Sequence, residues 1–356
     1  MNAVDATVDL DDSDGLLAAD RNGLLRASAM AGAQVRATAA ALAEGLLDPL
    51  RADHPPRTVI WVAGRGTAES AGAMLAAALG ASISAPIVVA AETPPWLGAL
   101  DVLIVAGDDP GDPALVNAAA TGVRRGARVL IVAPHEGPLR DIAAGRAVVL
   151  APRLWVPDDF GLTRYLAAGL AALHVVDPGM RVDLAALADE LDAEALRNSA
   201  GRELFTNPAK TLAERMSDCA VVLAGDNPAT LALARHGAAT MLRLAGEVAA
   251  AAGLSDVLAA MGSGAVGLPA ARSLFHDEEI DGPLPRRMRT FVLITDTERQ
   301  AVGARVNGFD DIAVIGAEDV PEPAGTTLPA GRPEQQLAIL AVRVEMTAVY
   351  LKLVRG

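Results

Sequence analysis

The chain has 356 residues with a formal net charge of −14 at pH 7, and 52% of its residues are apolar. Nucleic acids and anionic membranes bind through basic patches, so this acidic balance excludes both as the main partner. No apolar run reaches the roughly 18 to 20 residues of a membrane span, and the acidic N-terminus is unlike a signal or transit peptide. We therefore predict a cytoplasmic protein. Its one cysteine, Cys219, permits no internal disulfide.

The N-terminal part predicts an Ala/Leu-rich helix from about Ser28 to Leu47, which ends before the prolines of residues 54–57. Continuous apolar runs, typical of strands buried on both faces, follow. They are Arg57–Gly64, Ala85–Ala90, Asp101–Gly107, Ala127–Pro134 and the shorter Arg146–Pro152. Because helices such as Gly66–Ala81 alternate with them, the pattern predicts a doubly wound α/β fold with a parallel sheet.

A long apolar helix over residues 158–176 and an acidic amphipathic helix over residues 183–204 predict a connector between two domains. A second α/β half then follows. Its predicted elements are a strand at Cys219–Gly225, one or two helices over residues 228–253, strands at Arg289–Asp296 and Gly308–Gly316, and an amphipathic closing helix from Arg332. The predicted division is a helical segment (1–55), a first domain (56–152), a connector (153–200), a second domain (201–329) and the closing helix (330–356).

The run WVAGRGTAESAGAMLA, residues 61–76, resembles the first phosphate-side loop of sugar-isomerase (SIS) domains. The order of NPAKTLAERM, FHDEEIDG and the closing helix resembles the bifunctional phosphoglucose/phosphomannose isomerases. The resemblance implies two SIS-type domains, a homodimer, and a hexose phosphate as ligand. It also implies a glutamate that moves a proton between C1 and C2 and a histidine that helps open the ring. We predict no cofactor, and we predict no metal because the sequence has no HExxH motif, no paired CxxC and no regular carboxylate spacing.

The first loop supplies the residues that the resemblance implies for the phosphate: Gly64, Arg65, Gly66, Thr67 and Ser70. Backbone N–H groups at a helix N-terminus favour an anion, and Arg65 adds positive charge. Alternatively, the glycines only let the helix pack close to the sheet, since GxG after a strand is a weak signal.

The second loop departs from the family, where this position is rich in Ser and Thr. Here residues 106–114 read AGDDPGDPA, without a hydroxyl, and Asp108 and Asp109 stand where the phosphate would sit. One carboxylate about 5 Å from a phosphate charge costs roughly 3 kcal/mol at an effective dielectric constant near 20. Alternatively, Asp108 or Asp109 caps the following helix, and Asp109 or Asp112 is expected to accept a backbone N–H there. Either way the usual phosphate position is disfavoured.

In the catalytic segment the resemblance places the family's base glutamate on Ser273 and its histidine on His276, with Glu278 or Glu279 as the later glutamate. Serine is not a competent general base near neutral pH. The closing helix also lacks the family's histidine, and its charged Arg343 and Glu345 predict a solvated or ion-paired face. His276 is the best candidate for chemistry, with a surface histidine in an acidic turn as the alternative.

Two functions are compatible with these sequence features. The first is a sugar-phosphate-binding protein that has lost catalysis and acts as a sensor, scaffold or partner of a sugar-phosphate enzyme. The second is an active isomerase that interconverts glucose 6-phosphate or mannose 6-phosphate and fructose 6-phosphate, with Glu69, Glu278 or Glu279 as its base. The missing hydroxyl loop, base and terminal histidine favour the first. The apolar surplus on residues 158–176 and 332–353 supports the homodimer.

Overall fold

The computed structural model describes residues 8–263, 287–320 and 331–355. The chain forms two compact units. The first unit is Gly23–Leu196, and the second unit combines Met1–Asn22 with Arg197–Gly356. Each unit contains one parallel β-sheet flanked by helices, so the predicted α/β class with two parallel sheets is confirmed.

The first unit has a five-stranded sheet in the order β2-β1-β3-β4-β5. All of its pairings are parallel. The three central strands are buried because helices cover both faces, which explains their unbroken apolar sequences. The strands are β1 (Val59–Ala63), β2 (Ile87–Ala90), β3 (Val102–Ala106), β4 (Arg128–Val132) and β5 (Val148–Val149).

Alternate residues of β1 show the two layers of this unit. Ile60 and Val62 belong to the apolar cluster that includes residues of α5 and α6. Trp61 faces the other way, where Gly72 of α4 and Gly169 of α7 leave room for its ring. The helices described for this unit are α2 (Leu24–Ser28), α3 (Ala31–Ala43), α4 (Thr67–Leu79), α5 (Pro113–Arg124), α6 (Gly137–Ala143), α7 (Leu162–Val176) and α8 (Leu184–Arg197).

The second unit has a four-stranded parallel sheet in the order β7-β6-β8-β9. Its strands are β6 (Ala220–Gly225), β7 (Ala249–Gly253), β8 (Met288–Ile294) and β9 (Ile312–Gly316). Its described helices are α1 (Ser13–Ala19), α9 (Pro208–Met216), α10 (Pro228–Thr240), α11 (Leu254–Gly262), α12 (Asp296–Val306) and α13 (Pro333–Arg355).

The described residues also contain four short helical turns that are not α-helical. Three are 3-10 turns, at Asp48–Leu50, Asp158–Phe160 and Leu204–Thr206. A π-helical turn, Met241–Ala245, extends the end of α10. The helix predicted from Ser28 to Leu47 is shorter than expected: α2 ends at Ser28 and α3 covers only Ala31–Ala43.

The alanine-rich strand β7 contradicts the sequence prediction, which assigned residues 228–253 to one or two helices. Ala249–Gly253 instead pairs in register with Val221–Gly225 of β6. Alanine has the highest helix propensity, but here pairing with a distant strand overrides the local preference. Its small side chain also suits a strand packed closely against α10 and α11.

The sequence predicts an amphipathic closing helix, and this prediction is wrong: α13 is buried around nearly its whole circumference. It packs on α9 and α10 within the second unit. Arg343 and Glu345 are each 1% exposed. Arg343 donates to the carbonyl oxygens of Gly316 and Ala317 at 2.8 and 2.9 Å, and Glu345 lies 3.1 Å from His236. The solvated alternative for these two residues is therefore wrong, because Arg343 is bound to backbone carbonyl oxygens and Glu345 lies within hydrogen-bond distance of His236.

The burial of α7 and α13 also removes one argument for a dimer. Their apolar residues are buried within a single chain, so they provide no surplus surface. The homodimer stays a prediction. Across the residues described, no helix is both long and apolar enough to cross a membrane.

Candidate functional site

The carboxyl ends of β1, β3 and β4 lie side by side in the first unit, because these strands are neighbours in a parallel sheet. Ligands of open α/β sheets bind at this edge. The first loop, residues 64–66, follows β1, and the second loop, residues 107–112, follows β3. The structure therefore brings together the two loops for which the sequence predicts ligand contacts.

Glycines bring the two loops into close contact. The backbone N–H of Gly64 donates to the carbonyl oxygen of Ala106 at 2.7 Å. A Cβ atom at Gly64 would lie 3.5 Å from the Cα atom of Gly107. Gly66 has φ 88° and ψ −131°, a conformation that side chains rarely adopt. Close backbone packing, the simpler explanation for these glycines, is thus part of their role.

The N-terminus of α4 follows Gly66 and has no side-chain cap among the described residues. Arg65 beside it is exposed, Thr67 is buried and Ser70 is partly buried. The Thr67 hydroxyl donates to the carbonyl oxygen of Asp158 at 3.3 Å, so its side chain is committed to the protein. The first N–H groups of a helix carry its positive dipole end, so this N-terminus favours an anion.

The N-terminus of α5, in the second loop, is occupied. Asp112 is its N-cap and accepts from the backbone N–H of Ala114 at 2.8 Å. Asp109 accepts from the backbone N–H of Gly111 at 2.8 Å and so closes the turn before the helix. Asp112 therefore caps α5 as expected, whereas the interpretation of Asp108 or Asp109 as the cap is wrong.

Asp108 points instead toward the N-terminus of α7. Its Oδ1 atom accepts from Arg164 Nη2 and from the Tyr165 hydroxyl, each at 2.5 Å. The Arg164 guanidinium also stacks 4.3 Å from the centroid of the Tyr165 ring. Arg164 and Asp108 are both largely buried, with side chains 13% and 19% exposed. The negative charge of Asp108 is thus compensated inside the protein, which weakens the repulsion that the sequence implies.

A cavity of about 330 Å³ opens beside this ion pair. Its polar side chains are those of Gln34, Asp108, Arg153, Asp158 and Arg164. Trp155 also lines it and is 85% exposed, although the side chain is large and apolar. An apolar ring beside a few fixed polar groups is the usual composition of a small-molecule site.

Two ionisable groups at this cavity have shifted pKa values. Burial, and secondly the negative charge of Asp108, raise the pKa of Asp158. Burial also raises the pKa of the Tyr165 phenol far above its usual range. Tyr165 therefore stays protonated and acts as a hydrogen-bond donor to Asp108 at any physiological pH.

The predicted catalytic segment cannot be compared with this site. Ser273, His276, Glu278 and Glu279 all lie outside the described residues. Glu69, the remaining glutamate considered for a base, lies in the first turn of α4 and is exposed.

Sequence reasoning missed Arg164, Tyr165, Trp155 and Asp158. The run around Arg164 and Tyr165 predicts an apolar helix. The one signal of a functional role was Arg164 itself, a charged residue in the first turn of that helix. The partner of these side chains, Asp108, is 56 positions away from Arg164. No local pattern indicates such a contact.

The carboxyl edge of the second unit's sheet differs, because two of its helices begin with complete capping boxes. Asn227 with Thr230 caps α10, and Thr295 with Glu298 caps α12. These caps take up the N–H groups that an anion needs. A third helix at this edge, α11, follows Gly253 and, like α4 after Gly66, has no side-chain cap within the described part of the chain. We favour the first unit as the anion site because Arg65 stands beside the uncapped N-terminus of α4.

Solved structures of sugar-phosphate enzymes share this fold. The chain is 16% identical to tagatose-6-phosphate ketose/aldose isomerase from Escherichia coli, with 100% of this chain and 95% of that chain covered and a TM-score of 0.63. A glucose-6-phosphate isomerase-like protein from Thermus thermophilus is 19% identical, with 98% and 94% covered and a TM-score of 0.50. The C-terminal domain of glucosamine-fructose-6-phosphate aminotransferase from Francisella tularensis is 11% identical, with 96% of both chains covered and a TM-score of 0.59.

No family model matches the chain. No curated protein matches it either. At these identities the solved structures establish the SIS-type fold of phosphosugar isomerases, and the fold alone does not specify a reaction.

Proposed function

We propose that the protein binds a hexose phosphate in the first unit, with the phosphate at the N-terminus of α4. The observation that carries this proposal is the uncapped N-terminus of α4 with Arg65 beside it, next to the capped N-terminus of α5. In this arrangement Gly64, Arg65, Gly66 and Ser70 surround the phosphate. The solved structures support a sugar phosphate as the ligand class, since they are named for enzymes of such substrates.

The sugar moiety occupies the adjacent cavity in this proposal. Asp108 and Asp158 accept hydrogen bonds from sugar hydroxyl groups, while Trp155 covers one apolar face of the ring. A hydroxyl-rich ligand suits these carboxylates, whereas a second anionic group would be repelled by them.

We further propose that the protein does not isomerise its ligand and acts as a sensor, scaffold or partner of a sugar-phosphate enzyme. The second loop has no hydroxyl, the resemblance places Ser273 at the position of the base glutamate, and α13 has no histidine. We expect this protein in the cytoplasm as a homodimer, and light scattering at micromolar concentration tests the dimer.

The competing proposal is an active isomerase for glucose 6-phosphate or mannose 6-phosphate. It requires Glu69, Glu278 or Glu279 as base, together with His276. A coupled assay of fructose 6-phosphate formation separates the two proposals, with thermal-shift titration of both hexose phosphates in parallel. We expect a rise in melting temperature, because a ligand that binds the folded state stabilises it, and no turnover. Turnover above the uncatalysed rate contradicts the loss of catalysis, and the absence of any shift contradicts binding.

A further inference from the structure

A second cavity of the first unit runs along β5, at the edge of the sheet. This edge groove has a volume of about 1040 Å³. Part of its wall is apolar, with exposed Leu46 and Pro49 and partly buried Val149. Its charged and polar lining consists of three arginines, Arg128, Arg140 and Arg146, together with His135 and Asp141.

Arg128 is the least solvated of the three arginines. It is partly buried at the start of β4, and its Nη1 atom donates to the carbonyl oxygen of Leu50 at 2.8 Å. No carboxylate of the described residues forms an ion pair with it. Burial lowers the pKa of this guanidinium. A desolvated cation without an anion nearby is costly, and a bound anion removes that cost.

Arg140 and Arg146 are exposed and weakly held. Arg146 donates to the carbonyl oxygen of Ile142 at 3.5 Å, and Arg140 lies 3.5 Å from its neighbour Asp141. Elsewhere in the first unit arginines have closer carboxylate partners, as Arg57 does with Asp101 at 2.5 Å. The edge groove thus combines three guanidinium groups with one carboxylate, in a chain whose net charge is −14.

We propose that the edge groove binds a small organic phosphate that carries an apolar or aromatic group, of the nucleoside diphosphate class. The guanidinium groups of Arg128, Arg140 and Arg146 bind the phosphate oxygens, a geometry for which arginine is well suited. The wall of Leu46 and Pro49 packs against the apolar group. The groove is larger than a hexose phosphate requires, and its volume lies near the upper end of the range for small-molecule sites, about 300 to 1,000 Å³.

This site is separate from the hexose phosphate site. Arg65, Thr67 and Ser70 do not line the edge groove. The two proposals therefore stand or fall independently.

Calorimetry of the full-length protein with ADP, pyrophosphate and adenosine, without divalent cations, tests the proposal. We expect ADP to bind about tenfold or more tightly than pyrophosphate, adenosine not to bind measurably, and affinity for ADP to fall as salt is added. The Arg128→Gln variant should lose about tenfold in affinity. The exposed pair Arg140→Gln and Arg146→Gln should lose about threefold or more without a change in melting temperature.

The matched control is Arg124→Gln, an exposed arginine on α5 that does not line the groove. This variant should bind ADP as the unmodified protein does. The proposal is overturned if ADP does not bind, if pyrophosphate binds as tightly, or if the groove variants retain full affinity. Competition between ADP and glucose 6-phosphate for one site would also overturn it.

Discussion

Asp108 is the residue at which the structure changes the expected chemistry most. The sequence predicts a carboxylate that repels phosphate, but its oxygen is shared between Arg164 and Tyr165. A compensated charge repels a distant anion less than a free one. The double substitution Asp108→Ser and Asp109→Thr is therefore expected to raise hexose phosphate affinity by less than about tenfold, rather than by the roughly hundredfold of full repulsion. Loss of the hydrogen bond that Asp108 accepts from a sugar hydroxyl in the proposed complex offsets part of the gain.

The ion pair between Asp108 and Arg164 should also stabilise the folded protein. Asp108→Asn removes the carboxylate and leaves the largely buried Arg164 guanidinium without its counter-charge. We expect the free energy of unfolding to fall by about 2 kcal/mol, measured by urea denaturation. The control is Asp109→Asn at an exposed position, where the amide oxygen can still accept from Gly111. Equal losses in the two variants would contradict the role of the ion pair.

Asp158 should make stability depend on pH. Its pKa in the folded chain lies above the usual value of 3.8, so the folded state binds more protons than the unfolded state between these two values. The contribution of this group to stability therefore decreases as pH rises through the folded pKa. Asp158→Asn should raise the free energy of unfolding at pH 7. The gain should be less than about 1 kcal/mol, because the residue retains enough solvent contact to screen the effects of partial burial and of Asp108.

Urea denaturation at several pH values measures this effect. The advantage of Asp158→Asn should disappear below pH 3.8, where the carboxyl is protonated in both states. Asp53→Asn, at an exposed position of the same unit, should show no such advantage. An Asp158→Asn variant that is less stable than the unmodified protein at pH 7 would contradict this prediction.

At the scale of elements, the end of β6 packs directly against the start of α10. A Cβ atom at Gly225 would lie 2.3 Å from the backbone nitrogen of Leu231. Backbone cannot yield as a flexible side chain does, so Gly225→Ala should lower the free energy of unfolding by about 3 kcal/mol or more. Gly262→Ala is the control, because among the described residues no heavy atom outside its own helix backbone and chain neighbours lies within 4 Å of its added methyl group. Thermal unfolding of both variants measures the difference.

The His236–Glu345 pair joins α10 to α13 in the interior of the second unit. Both residues are 1% exposed, and their side chains lie 3.1 Å apart. Glu345→Ala should lower the free energy of unfolding by about 3 to 5 kcal/mol, because it removes one member of a buried ionisable pair. Lys352→Ala on the same helix, where the side chain is partly buried, should cost less than about 1 kcal/mol.

A double-variant cycle separates this pair from general loss of packing. If the interaction holds, His236→Ala with Glu345→Ala should cost less than the sum of the two single variants. Simple additivity would show that the two side chains stabilise the unit independently.

For the whole molecule, the fold was predictable from sequence because buried parallel strands leave a strong pattern of continuous apolar runs. Residues 59–63, 102–106 and 128–132 show it clearly. Residues 249–253 do not, because alanine favours a helix locally and only the partner strand β6 makes this segment a strand.

The candidate site was predictable in part. Loops after strands are visible in sequence, so the positions of Gly64, Arg65 and Asp108 could be recognised as ligand-side residues. The contacts of Asp108 could not, since Arg164 and Tyr165 lie far along the chain. The sequence could not decide which aspartate caps α5, because Asp108, Asp109 and Asp112 have identical side chains in the same loop.

The central claim is that hexose phosphate binds with its phosphate at the N-terminus of α4, and a matched pair of variants at Ser70 tests it most directly. Ser70 lies in the first turns of α4 and is partly buried. Ser70→Asp introduces a negative charge there without destabilising the helix. Ser70→Asn introduces a side chain of nearly the same shape as Asp but without the charge.

The measurement is calorimetric titration of glucose 6-phosphate, with glucose as the uncharged reference, into the unmodified protein and both variants. We predict that glucose 6-phosphate binds and glucose does not, that Ser70→Asp weakens binding by about tenfold to a hundredfold, and that Ser70→Asn stays within about threefold. Equal affinity of the two variants, or equal binding of glucose, would contradict the account.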